Sequence, residues 1–224
     1  MNLLAIDTAS EKFSAAVNAG GDIWFFQADA GLRHSELLMD GIDNLMNKAA
    51  LQPCDLSGVL CMGGPGSFTG LRIGFSAAKG LALSLGIPFA PVPTLECMAW
   101  PFSSLPLPVM PVIDAKQGAF FCALFYKGSR LCPDMDAKPA AIAQKIADES
   151  QALLLGPGAA LLHERLMSLP IDDALKNRIF LGKDLTWGNA ETLLRIAHEK
   201  NIFSGFTPDY SSGPVYLRKS DAEK

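Results

Sequence analysis

The sequence predicts an α/β fold built as two similar halves, each a mixed sheet flanked by helices. Three observations carry that reading. Strand-like and helix-like apolar patterns alternate along the 224 residues. The glycine run Gly63-Gly64-Pro65-Gly66-Ser67-Phe68-Thr69-Gly70 sits between an apolar strand-like segment and an apolar helix-like one. The second half echoes that order, with Gly156-Pro157-Gly158 after another short apolar strand. Hydrophobic residues make up 49% and charged residues 19%, which suits a globular chain and not a disordered one.

Each element has a local cause. Leu3 to Asp7 is an apolar strand that ends in Asp7, Thr8 and Ser10. Phe13, Ala15 and Val17 alternate, Ala19-Gly20-Gly21-Asp22 turns the chain, and Ile23-Trp24-Phe25-Phe26 returns as a hairpin. From His34 to Ala50, Leu37, Leu38, Ile42, Leu45, Met46 and Ala49 fall at helical spacing. Gly58 to Met62 is a strand, and Leu71 to Leu85 is a helix stopped by Gly86 and Pro88. Arg72 and Lys79 interrupt the apolar stretch from Gly70 to Ile87, so it reads as a buried helix and not a membrane span. Phe89 to Val92 is a short strand, and Thr94 caps a brief helix through Trp100.

Four prolines, Pro101, Pro106, Pro108 and Pro111, mark the expected boundary, giving domains 1–104 and 105–224 with the C-terminal tail returning to the first. The second half then repeats the outline. Val109 to Asp114 is a strand ending in Asp, and Ala119 to Tyr126 a long strand turned by Gly128. Pro139 to Ser150 is a helix, Ala152 to Leu155 a strand, and a helix follows through Leu169. Asn189 to Lys200 is a last amphipathic helix.

Charge and cysteine usage narrow the function. A formal net charge of -4 argues against a chain that grips nucleic acid by itself, which needs a basic face. The five cysteines are odd in number, spread out and without a Cys-x-x-Cys pair, as in a reduced cytoplasmic protein. No signal-peptide pattern precedes the first strand.

The glycine run has the strand-loop-helix layout of a phosphate cradle. Its spacing matches neither the Walker loop, which needs a lysine, nor the dinucleotide fingerprint, nor an esterase elbow. Both a phosphate loop and a tight structural turn remain open. The ligand reading would enlist Asp7, Thr8, Gly64, Gly66, Ser67, Thr69 and Gly70. Asp114 mirrors Asp7 and reads either as a cleft residue or as a cap on the Lys116-Gln117-Gly118 turn. The residue four after His34 is Leu38, so no helical histidine pair holds a metal, and no intrinsic metal is expected. The two early helices carry more apolar surface than one sheet face needs. A partner surface is therefore expected at His34, Leu37, Leu38, Ile42, Leu45, Gly74, Ala77 and Ala78.

An N-terminal strand ending in Asp-Thr, a meander, a helix, then a strand and glycine loop resembles the actin, sugar-kinase and Hsp70 superfamily, an actin-like (ASKHA, duplicated RNase H-like) two-lobed fold. A narrower set of motifs resembles the bacterial TsaB (YeaZ) family over nearly the whole length. These are Ile6-Asp7-Thr8, Arg33-His34-Ser35-Glu36, Gly64-Pro65-Gly66-Ser67-Phe68-Thr69-Gly70-Leu71-Arg72, Pro93-Thr94-Leu95-Glu96, Val112-Ile113-Asp114-Ala115-Lys116-Gln117-Gly118 and Pro214-Val215-Tyr216-Leu217-Arg218. Ala119 stands where the family usually carries an acidic residue. The resemblance implies a non-catalytic accessory subunit of the tRNA threonylcarbamoyladenosine (t6A) machinery. It implies binding to a TsaD-like catalytic paralogue, action with a TsaE-like ATPase, and a homodimer when alone. It also implies ATP or ADP at the complex interface with no intrinsic cofactor, tRNA reached only through the complex, and no membrane. The competing expectation is a free-standing actin-like ATPase or small-molecule kinase.

Overall fold

The computed structural model describes residues 1–149, 151–183, 188–204 and 210–218. The chain divides into two compact units, Met1–Cys97 with Gly188–Tyr216, and Met98–Trp187 with Leu217–Lys224. The division therefore falls at Cys97/Met98, ahead of the proline-rich stretch that suggested 104/105, and the last helix groups with the first unit.

The first unit opens with β1 (Leu3–Asp7), β2 (Lys12–Ala19) and β3 (Asp22–Asp29), an antiparallel meander. Helix α1 (His34–Lys48) leads to β4 (Gly58–Met62). Helix α2 (Phe68–Leu85) leads to β5 (Phe89–Val92), and α3 (Thr94–Ala99) follows. The sheet order is β3-β2-β1-β4-β5, with β4 parallel to β1 and β5 parallel to β4. Every residue of β1 and of β4 is buried, as expected of central strands covered on both faces.

Alternation along the strands assigns the two faces. Leu4, Ile6, Phe13, Ala15 and Val17 join Leu38, Ile42, Leu45, Phe75, Ala78 and Ala82 in one core beneath α1 and α2. Asp7 and Ser14, paired across the β1/β2 ladder, point to the other face.

The second unit holds β6 (Val109–Asp114), β7 (Phe120–Cys122), β8 (Phe125–Tyr126), β9 (Ser129–Arg130) and β10 (Met135–Ala137). Helix α4 (Pro139–Ala147), β11 (Ala152–Leu155), α5 (Ala159–Met167), α6 (Asp173–Lys176) and β12 (Ile179–Leu181) complete it. Its main path is β10-β7-β6-β11-β12, antiparallel from β10 to β6 and parallel from β6 to β12. Strand for strand this is the order of the first unit, so the chain is a duplication. Helix α7 (Ala190–Glu199) returns to the first unit and packs on β2, β1 and β4.

Several expectations are corrected. The predicted long strand Ala119–Tyr126 is two short ones, β7 and β8, separated by buried Ala123 and Leu124. Helix α2 begins at Phe68 and not Leu71, because Ser67 caps it by accepting a bond from the Gly70 N–H. The helix predicted through Ser150 ends at Ala147, and Ser150 lies outside the described residues. Among the described residues no helix is long and apolar enough to cross a membrane. All five cysteines are free thiols.

Candidate functional site

The turn from β4 into α2 meets the end of β1, and most of the sequence-predicted ligand residues gather there. Their hydrogen-bonding groups are turned toward their own chain. The Gly63 N–H donates to Val92 O at 2.7 Å, and the Gly64 N–H to the Thr94 hydroxyl at 3.1 Å. The Ser67 N–H donates to Ala9 O at 2.8 Å. The Thr8 hydroxyl donates to Gly70 O at 2.7 Å, so it too is engaged. Thr69 is exposed on the helix surface.

Close approach explains the glycines here. A Cβ on Gly70 would collide with Thr8 O, and one on Gly74 with the Thr8 hydroxyl. A Cβ on Gly66 would stand 2.6 Å from Ala9 O. Helix α2 can lie this near β1 only without side chains along that line. Gly64 adds a φ of +102, which favours glycine, to the same close approach, since a Cβ there would collide with the Val215 carbonyl oxygen. The same device recurs in the second unit, where a Cβ on Gly158 would stand 2.7 Å from Asp114 N.

Asp7 does not share the face of Thr8. Its Oδ1 accepts from the Ala9 N–H at 2.9 Å, and the Ser14 hydroxyl also bonds its carboxyl. The Ser14 oxygen in turn accepts the Ala190 N–H at 3.1 Å, tying the carboxyl to the start of α7. Burial pushes the Asp7 acid up from 3.8 to about 6, outweighing the two hydrogen bonds that lower it. The neighbouring thiols of Cys61 and Cys97 are held well above their ordinary range, by burial first and then by the Asp7 charge. They are poor nucleophiles and poor metal ligands in that state.

The remaining residues sort clearly. Asp114 Oδ1 accepts from the Lys116 N–H at 2.8 Å and so caps the turn in which Lys116, Gln117 and Gly118 all have positive φ. Ala119, at the position of the family acid, is buried. Among the described residues no group of three or more His, Cys, Asp and Glu side chains is placed to hold a metal ion. The His34 Nε2 is a buried atom with no hydrogen-bond partner.

The expected partner surface is corrected. His34, Leu38, Ile42, Leu45, Gly74 and Ala78 are buried inside the first unit, and Leu37 and Ala77 pack partly against the same core. The apolar stripe faces the sheet because that is what stabilises an amphipathic helix on its own domain. The outward faces carry Ser35, Glu36, Met39, Asp40 and Asp43 on α1, and Arg72, Ser76, Gly80 and Leu83 on α2.

Sequence reasoning missed Ser14 and Thr94 as bonding partners of this junction. It also missed the segment 210–216, which lies along α2. Val215 N–H donates to Gly63 O at 2.8 Å, and Lys79 Nζ to Ser212 O at 2.7 Å. The Tyr210 hydroxyl donates to Ile87 O at 2.8 Å. Arg72 stacks 3.9 Å over Phe68 and bonds the Tyr216 hydroxyl at 3.2 Å. Only Pro214-Val215-Tyr216 carried a signal, as a motif without a location.

Two sheets of matching strand order, with a glycine turn packed on the first strand, define an actin-like protein with mixed sheets flanked by helices. A family model described as TsaD, tRNA N6-adenosine threonylcarbamoyltransferase, matches residues 28–184. The tRNA threonylcarbamoyladenosine biosynthesis protein TsaB of Bacillus subtilis is 29% identical over 231 residues, spanning 100% of this chain and 96% of that protein. The TsaB of Haemophilus influenzae is 23% identical across 97% of this chain and 94% of its own length. The solved structure of YeaZ from Pseudomonas aeruginosa superposes with a TM-score of 0.77 at 23% identity, covering 96% of this chain and 99% of that one. The chain belongs to the TsaB (YeaZ) family, which shares the TsaD-type domain.

Proposed function

We propose that this chain serves in the biosynthesis of the tRNA nucleoside threonylcarbamoyladenosine as a non-catalytic scaffold subunit. It binds and stabilises a TsaD-like catalytic paralogue and acts with a TsaE-like ATPase. The observation that carries the reading is the relation to the Bacillus subtilis TsaB, which runs over 100% of this chain and 96% of that protein. The glycine junction supports the non-catalytic part. Thr8, Ser67 and the Gly64 and Gly70 N–H groups are engaged within the chain, and the thiols nearest Asp7 are suppressed. An enzyme site would instead aim a nucleophile and an orienting base at open space.

The partner surface is the outward side of α1 and α2. Met39 (45% exposed) and Leu83 (63% exposed) are its apolar points, beside Glu36, Asp40 and Asp43 of α1. The same faces pair two copies when the chain is alone, so homodimer and partner complex exclude one another. ATP or ADP binds at the complex interface, and tRNA is reached only through the complex in the cytoplasm. Co-expression with the paralogue tests this. Tagged wild type should retain the paralogue through washing, and the double variant Met39→Glu, Leu83→Glu should lose it while keeping its circular dichroism spectrum. Retention by that folded variant would overturn the surface. Failure of wild type to retain the paralogue would overturn the function.

A further inference from the structure

Residues 210–216 contact α2 at both ends and in between. Tyr210 bonds carbonyls at the C-terminal end, Ser212 meets Lys79, and Tyr216 stacks 4.8 Å from Phe68 at the first turn. The segment therefore runs antiparallel to the helix. Phe68 to Ala82 spans roughly 21 Å at helical rise, and an extended run from Tyr210 to Tyr216 spans roughly 20 Å. A segment of this length suffices to run along the helix as a strap. It ends over the glycine turn, where Val215 N–H holds Gly63 O and the Val215 carbonyl lies against Gly64.

The strap is lightly held. Tyr210 packs against the core at one end, but the other end is open: Val215 is 55% and Tyr216 38% exposed, with the Arg72–Phe68–Tyr216 stack beside them. Strands β1 and β4 of the same unit are, by contrast, fully buried. Elements with little buried apolar surface open at lower free energy than the core.

We propose that residues 210–216 form a releasable strap whose docking along α2 fixes the conformation of the Gly63–Ser67 turn. Release frees the Gly63 carbonyl and the side of Gly64 that the Val215 carbonyl covers, and it uncovers the flank of α2 that carries Phe68, Arg72 and Lys79. The turn and the strap then behave as one opening unit, distinct from the sheet.

Amide hydrogen exchange followed residue by residue tests this on the full chain. In wild type at low denaturant, Val215, Gly64 and Ser67 should share one opening, exchanging well before Leu4 of β1 and Leu60 of β4. Val215→Pro removes the donor to Gly63. It should speed exchange at Gly64 and Ser67 at least tenfold, raise amine labelling of Lys79, and leave Leu4 and Leu60 unchanged. Unchanged exchange at Gly64 and Ser67 in the variant would overturn the proposal. So would a common shift of the turn, β1 and β4 together, because the strap would then be part of the global fold. If the variant does not fold, the wild-type openings decide: separate openings for Val215 and Gly64 sink the idea.

Discussion

Asp7 is the residue at which burial and charge conflict most. An acid raised from 3.8 to about 6 is destabilising in its ionised form by about 3 kcal/mol, at about 1.4 kcal/mol per pH unit. The sign follows from the direction. Below about pH 4 the carboxyl is neutral in both folded and unfolded chains, and its burial is then harmless. Between about pH 4 and 6 the unfolded chain ionises first, so stability falls, and above about pH 6 the loss is complete. Asp7→Asn keeps an oxygen for the Ala9 N–H and cannot ionise. It should therefore stabilise the protein by about 2 kcal/mol at pH 7.5 and by little at pH 4, read from urea unfolding at each pH. Equal stabilisation at both values would refute the buried-charge account.

At the scale of elements, α2 is fitted to β1 by absent side chains. Gly70→Ala would drive a methyl group into Thr8 O and should destabilise by about 2–4 kcal/mol. Gly80 sits on the same helix, and a methyl group there would meet nothing within 4 Å, so Gly80→Ala should stabilise by about 0.5–1 kcal/mol. Thermal melts of the pair separate local packing from helix propensity, and a stabilised Gly70→Ala would refute the close-approach reading. Ser67→Ala removes the cap on Gly70 and should lower stability by about 1 kcal/mol. Much of this arrangement was legible in the sequence. The glycine run, the meander and both early helices follow from spacing and turn chemistry. What spacing left open was whether the run serves a ligand or its own chain, because the deciding partners, Thr8 O, Ala9 O and Thr94, are remote in sequence. Four short elements, β9, β10, α6 and β12, leave no mark in the sequence pattern. They span two, three, four and three residues, too few for a period to show. The apolar stripe of α1 is legible but its cover is not, since an amphipathic pattern states that a face is covered and not by what.

For the whole molecule, the repeated strand order shows that both units descend from one plan, and each brings its glycine turn against the end of its first strand. In both units that junction is closed by backbone contacts of the same chain. On the proposed reading as a scaffold subunit, these ends need no reactive groups. Incubated alone with tRNA, ATP and threonylcarbamoyl adenylate, the chain should yield no modified tRNA and negligible ATP hydrolysis. No lysine lies in the glycine turn for phosphate charge, Lys79 is engaged with Ser212 O, and the Asp7 carboxyl is directed to Ala9 and Ser14. Adding the TsaD-like paralogue and the TsaE-like ATPase should produce modified tRNA at a rate that depends on this chain, measured by nucleoside mass spectrometry. Gly66→Val should depress that rate, because a branched side chain cannot stand beside Ala9 O. Robust turnover by the single chain would overturn the scaffold reading and favour an independent actin-like ATPase or kinase.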